Sequence, residues 1–156
     1  MPTERGASRK QFLISQDALA FEAGTGGLLD AEFLAQAFCL AHGWHEPNTL
    51  RALERARQSG ALPAKDADAL LTSYRQLRHV EGIRRRWGHV GELLLPEARG
   101  EQKCVAMRCG FTSAAAFLKA LNGWRAEMRR VFKSVLRIHP ANPLEEAEAG
   151  EVCGCD

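Results

Sequence analysis

The chain lacks most of what would mark a specialised surface. Its 21 Lys and Arg residues scarcely exceed its 19 Asp and Glu, for a net charge of +2. That excess is too small for a broadly basic nucleic-acid glove. Aromatic residues make up 7% of the 156 positions, and no single-strand stacking platform is evident. No apolar run approaches the length of a bilayer span. The start, Met1-Pro2-Thr3-Glu4-Arg5, lacks the apolar core of a signal peptide. We therefore expect a soluble, cytoplasmic protein, with no membrane partner. The cysteines at 39, 104, 109, 153 and 155 form no C-x-x-C pair, and no His pair has zinc-finger spacing. They read as free thiols of a reducing compartment. Cys153-Gly154-Cys155 offers too few ligands in line for a metal or redox tail, so we expect no metal site. There is no G-x-S-x-G and no cysteine in a local nucleophile motif, and hence no catalytic residue to assign.

What is present is a globular balance, 46% hydrophobic and 26% charged, long enough to bury a core without disulfides. The periodic segments are rich in Ala, Leu, Arg and Glu, which favours helix over strand. The expected fold is an all-α bundle of about five helices. The pattern divides into a flexible segment 1–16, a helical domain 17–139 and an acidic, disordered tail 140–156.

Asp17 to Phe21 alternates weakly and reads as a short strand or as helix. Gly24-Thr25-Gly26-Gly27 is a clear break. A helix follows from near Leu28 to about Ala41, stopped by Gly43. Leu29, Phe33, Ala37 and Leu40 form one stripe on it, and Leu34, Phe38 and Ala41 another, which suits a helix central in a bundle. Asn48 reads as the N-cap of a helix ending at Gly60. Pro63 suits the first turn of the next. There Leu70, Tyr74, Leu77, Val80, Ile83, Trp87 and Val90 recur every three or four residues over about seven turns. This helix loosens at Gly88 and Gly91. Leu93 to Gly100 reads as a loop, Gln102 to Cys109 as a short helix. Thr112 or Ser113 caps a last helix whose stripe runs from Phe117 through Trp124, Met128 and Phe132 to Leu136, closed by Pro140. Trp87 and Trp124 read as packing anchors.

The glycine turn before a helix is the most suggestive feature. Backbone N–H groups there can cradle a phosphate. Yet a dinucleotide fingerprint needs glycine where Leu29 stands, and a P-loop needs Lys-Ser/Thr where Leu28-Leu29 stand. A tight turn into the helix is the simpler reading. Asp30 and Glu32 in the first helical turn suit the helix dipole, and point too far apart to share one ion. Arg75, Arg78, Arg85 and Arg86 could meet an anionic partner, although a solvated face paired with Glu81 and Glu92 explains them too. An i,i+4 pair of Glu81 with Arg85 is expected. His42 and His45, at a helix end, read as surface residues.

Several phrases together resemble a known family. They are Gly24-Thr25-Gly26-Gly27-Leu28-Leu29-Asp30-Ala31-Glu32-Phe33-Leu34-Ala35-Gln36, Asn48-Thr49-Leu50, Tyr74-Arg75-Gln76-Leu77-Arg78-His79-Val80-Glu81, Leu95-Pro96, and the closing helix from Phe117-Leu118 to Phe132. In this order they resemble, over about residues 17–137, the helical domain of bifunctional glutamine synthetase adenylyltransferases. The related uridylyltransferases that modify the nitrogen regulator PII share that domain. The resemblance implies a neighbouring nucleotidyltransferase domain, whose Gly-Ser turn and spaced aspartates hold magnesium and a nucleoside triphosphate. This sequence has no such segment. Asp66-Ala67-Asp68 has two-residue spacing but no Gly-Ser turn, so ATP and magnesium are implied only where a catalytic domain is present. The chain also departs from the family at Glu22-Ala23, usually basic, at Gly82, usually His, and at Gly91-Glu92-Leu93, usually Gln-Thr-His.

Three functions are open at this point. By resemblance, the chain is a non-catalytic domain that docks a nucleotidyltransferase domain, glutamine synthetase or a PII-type protein. Alternatively it is the C-terminal part of an active transferase, with Gly24, Gly26, Gly27 and Asp30 at the edge of the nucleotide site. The third is a free-standing adaptor for an unrelated partner, using the arginine face. The acidic stretch after Pro140 reads as a natural C-terminus, and a domain cut from a longer protein would read the same way.

Overall fold

The computed structural model describes residues 19–87 and 94–138. The segment 1–16, the loosening at Gly88 and Gly91, the closure at Pro140, the tail 140–156 and Cys153 and Cys155 lie outside them, as do Val90 and Glu92.

The described residues form an all-α bundle of five helices: α1 Leu28–His42, α2 Thr49–Gln58, α3 Ala64–Trp87, α4 Arg99–Arg108 and α5 Ala114–Ile138. The boundaries follow local chemistry. Gly43 takes the left-handed conformation (φ 65°) that ends α1, and Trp44 N–H returns to Cys39 C=O at 2.9 Å. Asn48 Oδ1 accepts from Arg51 N–H at 3.1 Å, supplying one of the partners that the first turn of α2 lacks. Pro63 precedes α3, its carbonyl accepting from Ala67 N–H at 2.9 Å. Ser113 Oγ accepts from Ala116 N–H at 3.1 Å at the start of α5.

The long helices α3 and α5 make the largest interface, α1 and α2 pair beside them, and α4 rests on α5 and α3. The core takes Leu34 from α1, Leu53 from α2, Leu70, Leu77 and Val80 from α3, and Phe117, Leu121, Met128 and Val131 from α5. Phe21, Leu62 and Leu95 enter it from the connections. Burying one such side chain contributes roughly 1.5–3 kcal/mol.

Three expectations change, and one open reading is decided. Of strand or helix for Asp17 to Phe21, the described residues 19–21 form no strand (Asp17 and Ala18 lie outside them), and their backbone groups close local turns: Phe21 N–H donates to Leu19 C=O at 3.1 Å and Gly24 N–H to Ala20 C=O at 2.8 Å. One bond reaches across the molecule, from Leu95 N–H to Leu19 C=O at 3.0 Å. Next, α1 is not central. Leu28, Ala31, Leu34, Ala35 and Phe38 are buried, while Leu29 and Phe33 are 51% and 54% exposed and Leu40 is more so. Trp87 is no anchor. It is 65% exposed, with the Arg108 guanidinium 4.3 Å from its ring centre. Trp124 does pack against the core, edge-on to Phe111. Finally, α4 begins at Arg99, inside the expected loop, with Gln102 Nε2 donating to Pro96 C=O at 2.8 Å just before it.

Candidate functional site

The glycine turn is built against α5. Gly26 has φ 72°, and a Cβ there would stand 2.1 Å from the Arg125 carbonyl oxygen. No side chain fits that approach, and the conformation itself disfavours one. A Cβ on Gly24 would meet Ala20 C=O at 2.4 Å and Arg125 Nη2 at 2.9 Å. One on Gly27 would meet Glu22 C=O at 2.5 Å. The glycines therefore let two stretches of backbone touch.

Arg125 closes the joint. Only 6% exposed, it donates from Nε and Nη2 to Thr25 C=O at 3.1 and 2.8 Å. Such charge-assisted bonds are roughly twice as strong as neutral ones. Asp30 completes the joint from the other side. Its Oδ2 accepts from Gly26 N–H at 2.9 Å and pairs with Arg129 Nη1 at 3.3 Å.

The other turn amides also bond within the chain. Gly27 N–H donates to Gly24 C=O, Leu28 N–H to Phe21 C=O, and Leu29 N–H to Glu22 C=O, at 2.8, 3.2 and 3.1 Å. A phosphate at Gly24, Gly26, Gly27 and Asp30 would meet donors already engaged, and at Gly26 it would have to displace a carboxylate.

A second polar cluster ties α1 to α3. Arg78 reaches Glu32 Oε1 with Nη2 at 2.7 Å, Glu81 Oε2 with Nη1 at 2.6 Å, and the Tyr74 hydroxyl with Nε at 2.9 Å. Tyr74 OH in turn donates to Glu32 Oε1 at 3.2 Å. Burial alone would lower the Arg78 pKa, but the bonds to Glu81 and Tyr74 outweigh it and raise it above the usual arginine range. Glu32 thus works between helices, whereas the sequence placed it with Asp30 as a dipole partner. Glu81 is buried and also pairs with Arg85 Nη2 at 2.6 Å, the expected i,i+4 bridge. Arg75 pairs with Glu54 at 2.8 Å. Of the four predicted arginines, 75, 78 and 85 are occupied within the bundle, and exposed Arg86 has no ion-pair partner among the described residues.

The remaining acids and cysteines are also placed. Asp66 pairs with Arg130 and Asp68 with Arg57, each at 2.8 Å, so the two carboxylates do not converge. Among the described residues no three His, Cys, Asp or Glu side chains are grouped to hold a metal. His42 stacks on Trp44, with ring centres 4.7 Å apart. Burial pushes the Cys109 thiol pKa up, which disfavours its thiolate. A Cβ on Gly82 would meet nothing within 4 Å, so packing does not require glycine there.

Beside the glycine joint lies an apolar groove lined by Leu29, Asp30, Phe33, Gln36 and Phe132. The Phe33 and Phe132 rings sit 5.9 Å apart across the α1–α5 seam. Leu136, 44% exposed, follows Phe132 by one turn of α5. The sequence assigned the groove's Leu29 and Phe33 to the core.

The family model described as GlnD PII-uridylyltransferase matches residues 20–136. The chain belongs to this family. Within it, the chain is similar to proteins named bifunctional glutamine synthetase adenylyltransferase/adenylyl-removing enzyme. That of Neisseria meningitidis serogroup A is 30% identical over 118 residues, 72% of this chain. That of Pseudomonas aeruginosa is 32% identical over 136 residues, 84% of this chain. The chain spans only 13% of the length of either relative. As a member of the GlnD PII-uridylyltransferase family it carries the glycine turn, the long helix and the closing helix in the expected order.

Arg125 and Arg129 escaped the sequence reading, although a signal for Arg125 was present. Leu121, Arg125 and Met128 follow at i, i+4 and i+7, so a cation stands in the row that faces the core. Such a residue needs a buried acceptor, and Thr25 C=O is that acceptor.

Proposed function

We propose that this chain is a non-catalytic docking domain in nitrogen-metabolism signalling, with a nucleotidyltransferase domain as its partner. The observation that carries the reading is the apolar groove of Leu29, Phe33 and Phe132, open on the seam beside the glycine joint. Large side chains exposed together mark interaction surfaces. The names of its relatives supply the partner's class: an adenylyltransferase acting on glutamine synthetase. Glutamine synthetase itself and a PII-type protein are further partners under the same reading. The chain alone needs neither ATP nor magnesium for this role, and no membrane or nucleic acid.

Calorimetry tests it. The chain is titrated with a relative's nucleotidyltransferase domain, with glutamine synthetase, with a PII protein, and with ATP plus magnesium. Binding to a protein, weakened at least tenfold in Phe33→Asp with the helical circular dichroism unchanged, is the expected result. Heat with ATP and magnesium that vanishes in Asp30→Asn would instead put Gly24, Gly26, Gly27 and Asp30 at a nucleotide edge and overturn the docking reading.

A further inference from the structure

From Leu29 to Leu40, α1 exposes four positions: Leu29, Phe33, Gln36 and Leu40. Every other residue of that stretch is buried or half-buried. Steps of four, three and four residues keep the four on one line of the helix, which is the spacing of a coiled-coil seam. A surface helix ordinarily turns polar residues outward. Here three of the four are Leu or Phe, and Leu40 is 85% exposed. The apolar groove takes in Leu29, Phe33 and Gln36. The row continues one turn beyond it, to Leu40.

The row has the same spacing read from either end. Reversed, its steps are again four, three and four, and a leucine again stands at each end. Laid antiparallel on a second copy, Leu29 meets that copy's Leu40, and Phe33 meets its Gln36. A twofold contact needs this self-complementarity, because the same patch serves both partners. The antiparallel setting also opposes the two helix dipoles, where a parallel one would align them side by side. Charge does not resist the contact. The two acids flanking the row are neutralised within each copy, Asp30 by Arg129 and Glu32 by Arg78. Two identical faces therefore meet without repulsion between carboxylates.

We propose that the free chain pairs with a second copy of itself through this row of α1, antiparallel across a twofold axis. The contact is small. A strip about 16 Å long and about 10 Å wide falls well short of the roughly 800 Å² per partner of a standard interface. The pair is therefore weak and reversible, with a dissociation constant on the order of 100 µM. Dilute chain is monomeric and concentrated chain is paired. Phe33 belongs both to the row and to the groove, so self-pairing and the docking of a partner protein exclude each other. That exclusion rests on the docking reading given above, whereas the self-pairing does not.

Sedimentation equilibrium of the full chain, with no other protein present, tests the pairing. The mean mass should rise from 17.2 kDa at about 5 µM chain toward twice that value at about 1 mM. Leu29→Glu and Leu40→Lys should each weaken dimerisation about tenfold or more. Both residues are exposed, so the helical circular dichroism should not change. Mixed in equal amounts, these two variants should dimerise about threefold or more tightly than either alone, because the antiparallel register sets opposite charges face to face. A monomer at every concentration would overturn the proposal and leave the docking reading untouched. A dimer indifferent to both substitutions, or no recovery on mixing, would overturn it as well. A chain that dimerises as expected but binds no partner protein in calorimetry would leave the self-pairing standing and remove the docking reading.

Discussion

The two faces of α1 carry similar residues and meet opposite fates. Leu28, Ala31, Leu34, Ala35 and Phe38 are buried, while Leu29, Phe33 and Leu40, interleaved with them, are exposed. Hydropathy alone cannot rank the two stripes. What separates them is the position of α1 at the side of the α3–α5 pair, which offers partners to one face only. The two ends of α1 contrast as well. Gly26 and Gly43 share a left-handed conformation, but Gly26 lies against Arg125 and Gly43 faces open space. An apolar periodicity shows that a face wants cover, and a glycine shows that a turn is needed. Neither says whether the cover or the close approach lies within the bundle.

Substitutions can sharpen this contrast. The largest losses are expected at Gly26 and Leu34. Gly26→Ala combines a left-handed penalty of about 1–2 kcal/mol with overpacking of about 1–3 kcal/mol. Leu34→Ala should cost about 2–5 kcal/mol by opening a cavity. Urea unfolding measures both, and Gly43→Ala should show the conformational part alone. Should Gly43→Ala match Gly26→Ala, the close approach to Arg125 has no energetic weight. Arg125→Met comes next, with a loss of about 1.5–3 kcal/mol for charged hydrogen bonds removed from a buried carbonyl. Phe33→Ala should change stability by no more than about 0.5 kcal/mol. A loss comparable to that of Leu34→Ala would mean that the exposed stripe is covered in solution. The smallest effect is chemical. At neutral pH Cys104, which is exposed, should react with a thiol reagent faster than Cys109, whose burial disfavours the thiolate. Equal rates would show that α4 opens readily from α5.

Much of the fold was legible because helix ends are decided locally. Gly43, Asn48 and Ser113 act on backbone groups within a few residues of themselves, and each stands where the sequence put it. The family was legible for a similar reason, since its longest phrase, from Gly24 to Gln36, is continuous. The exposure of Trp87 was hidden, because periodicity marks its row as apolar without saying which turns of α3 are covered. The purpose of the glycines was hidden too. Their neighbour is Arg125, a hundred residues away in sequence, and no local pattern at Gly24 to Gly27 points to it.

That separation has a consequence for biosynthesis. Chains emerge from the ribosome N-terminal end first, at about 5–20 residues per second. The Thr25 carbonyl is exported several seconds before the guanidinium that binds it. Until α5 arrives, α1 and α2 can pair, but the turn ahead of them has nothing to close upon. The turn is therefore made before α1 and α2 yet locked after them, and a nascent chain halted before Arg125 should leave Phe21 to Gly27 open to proteases that cannot touch the finished protein.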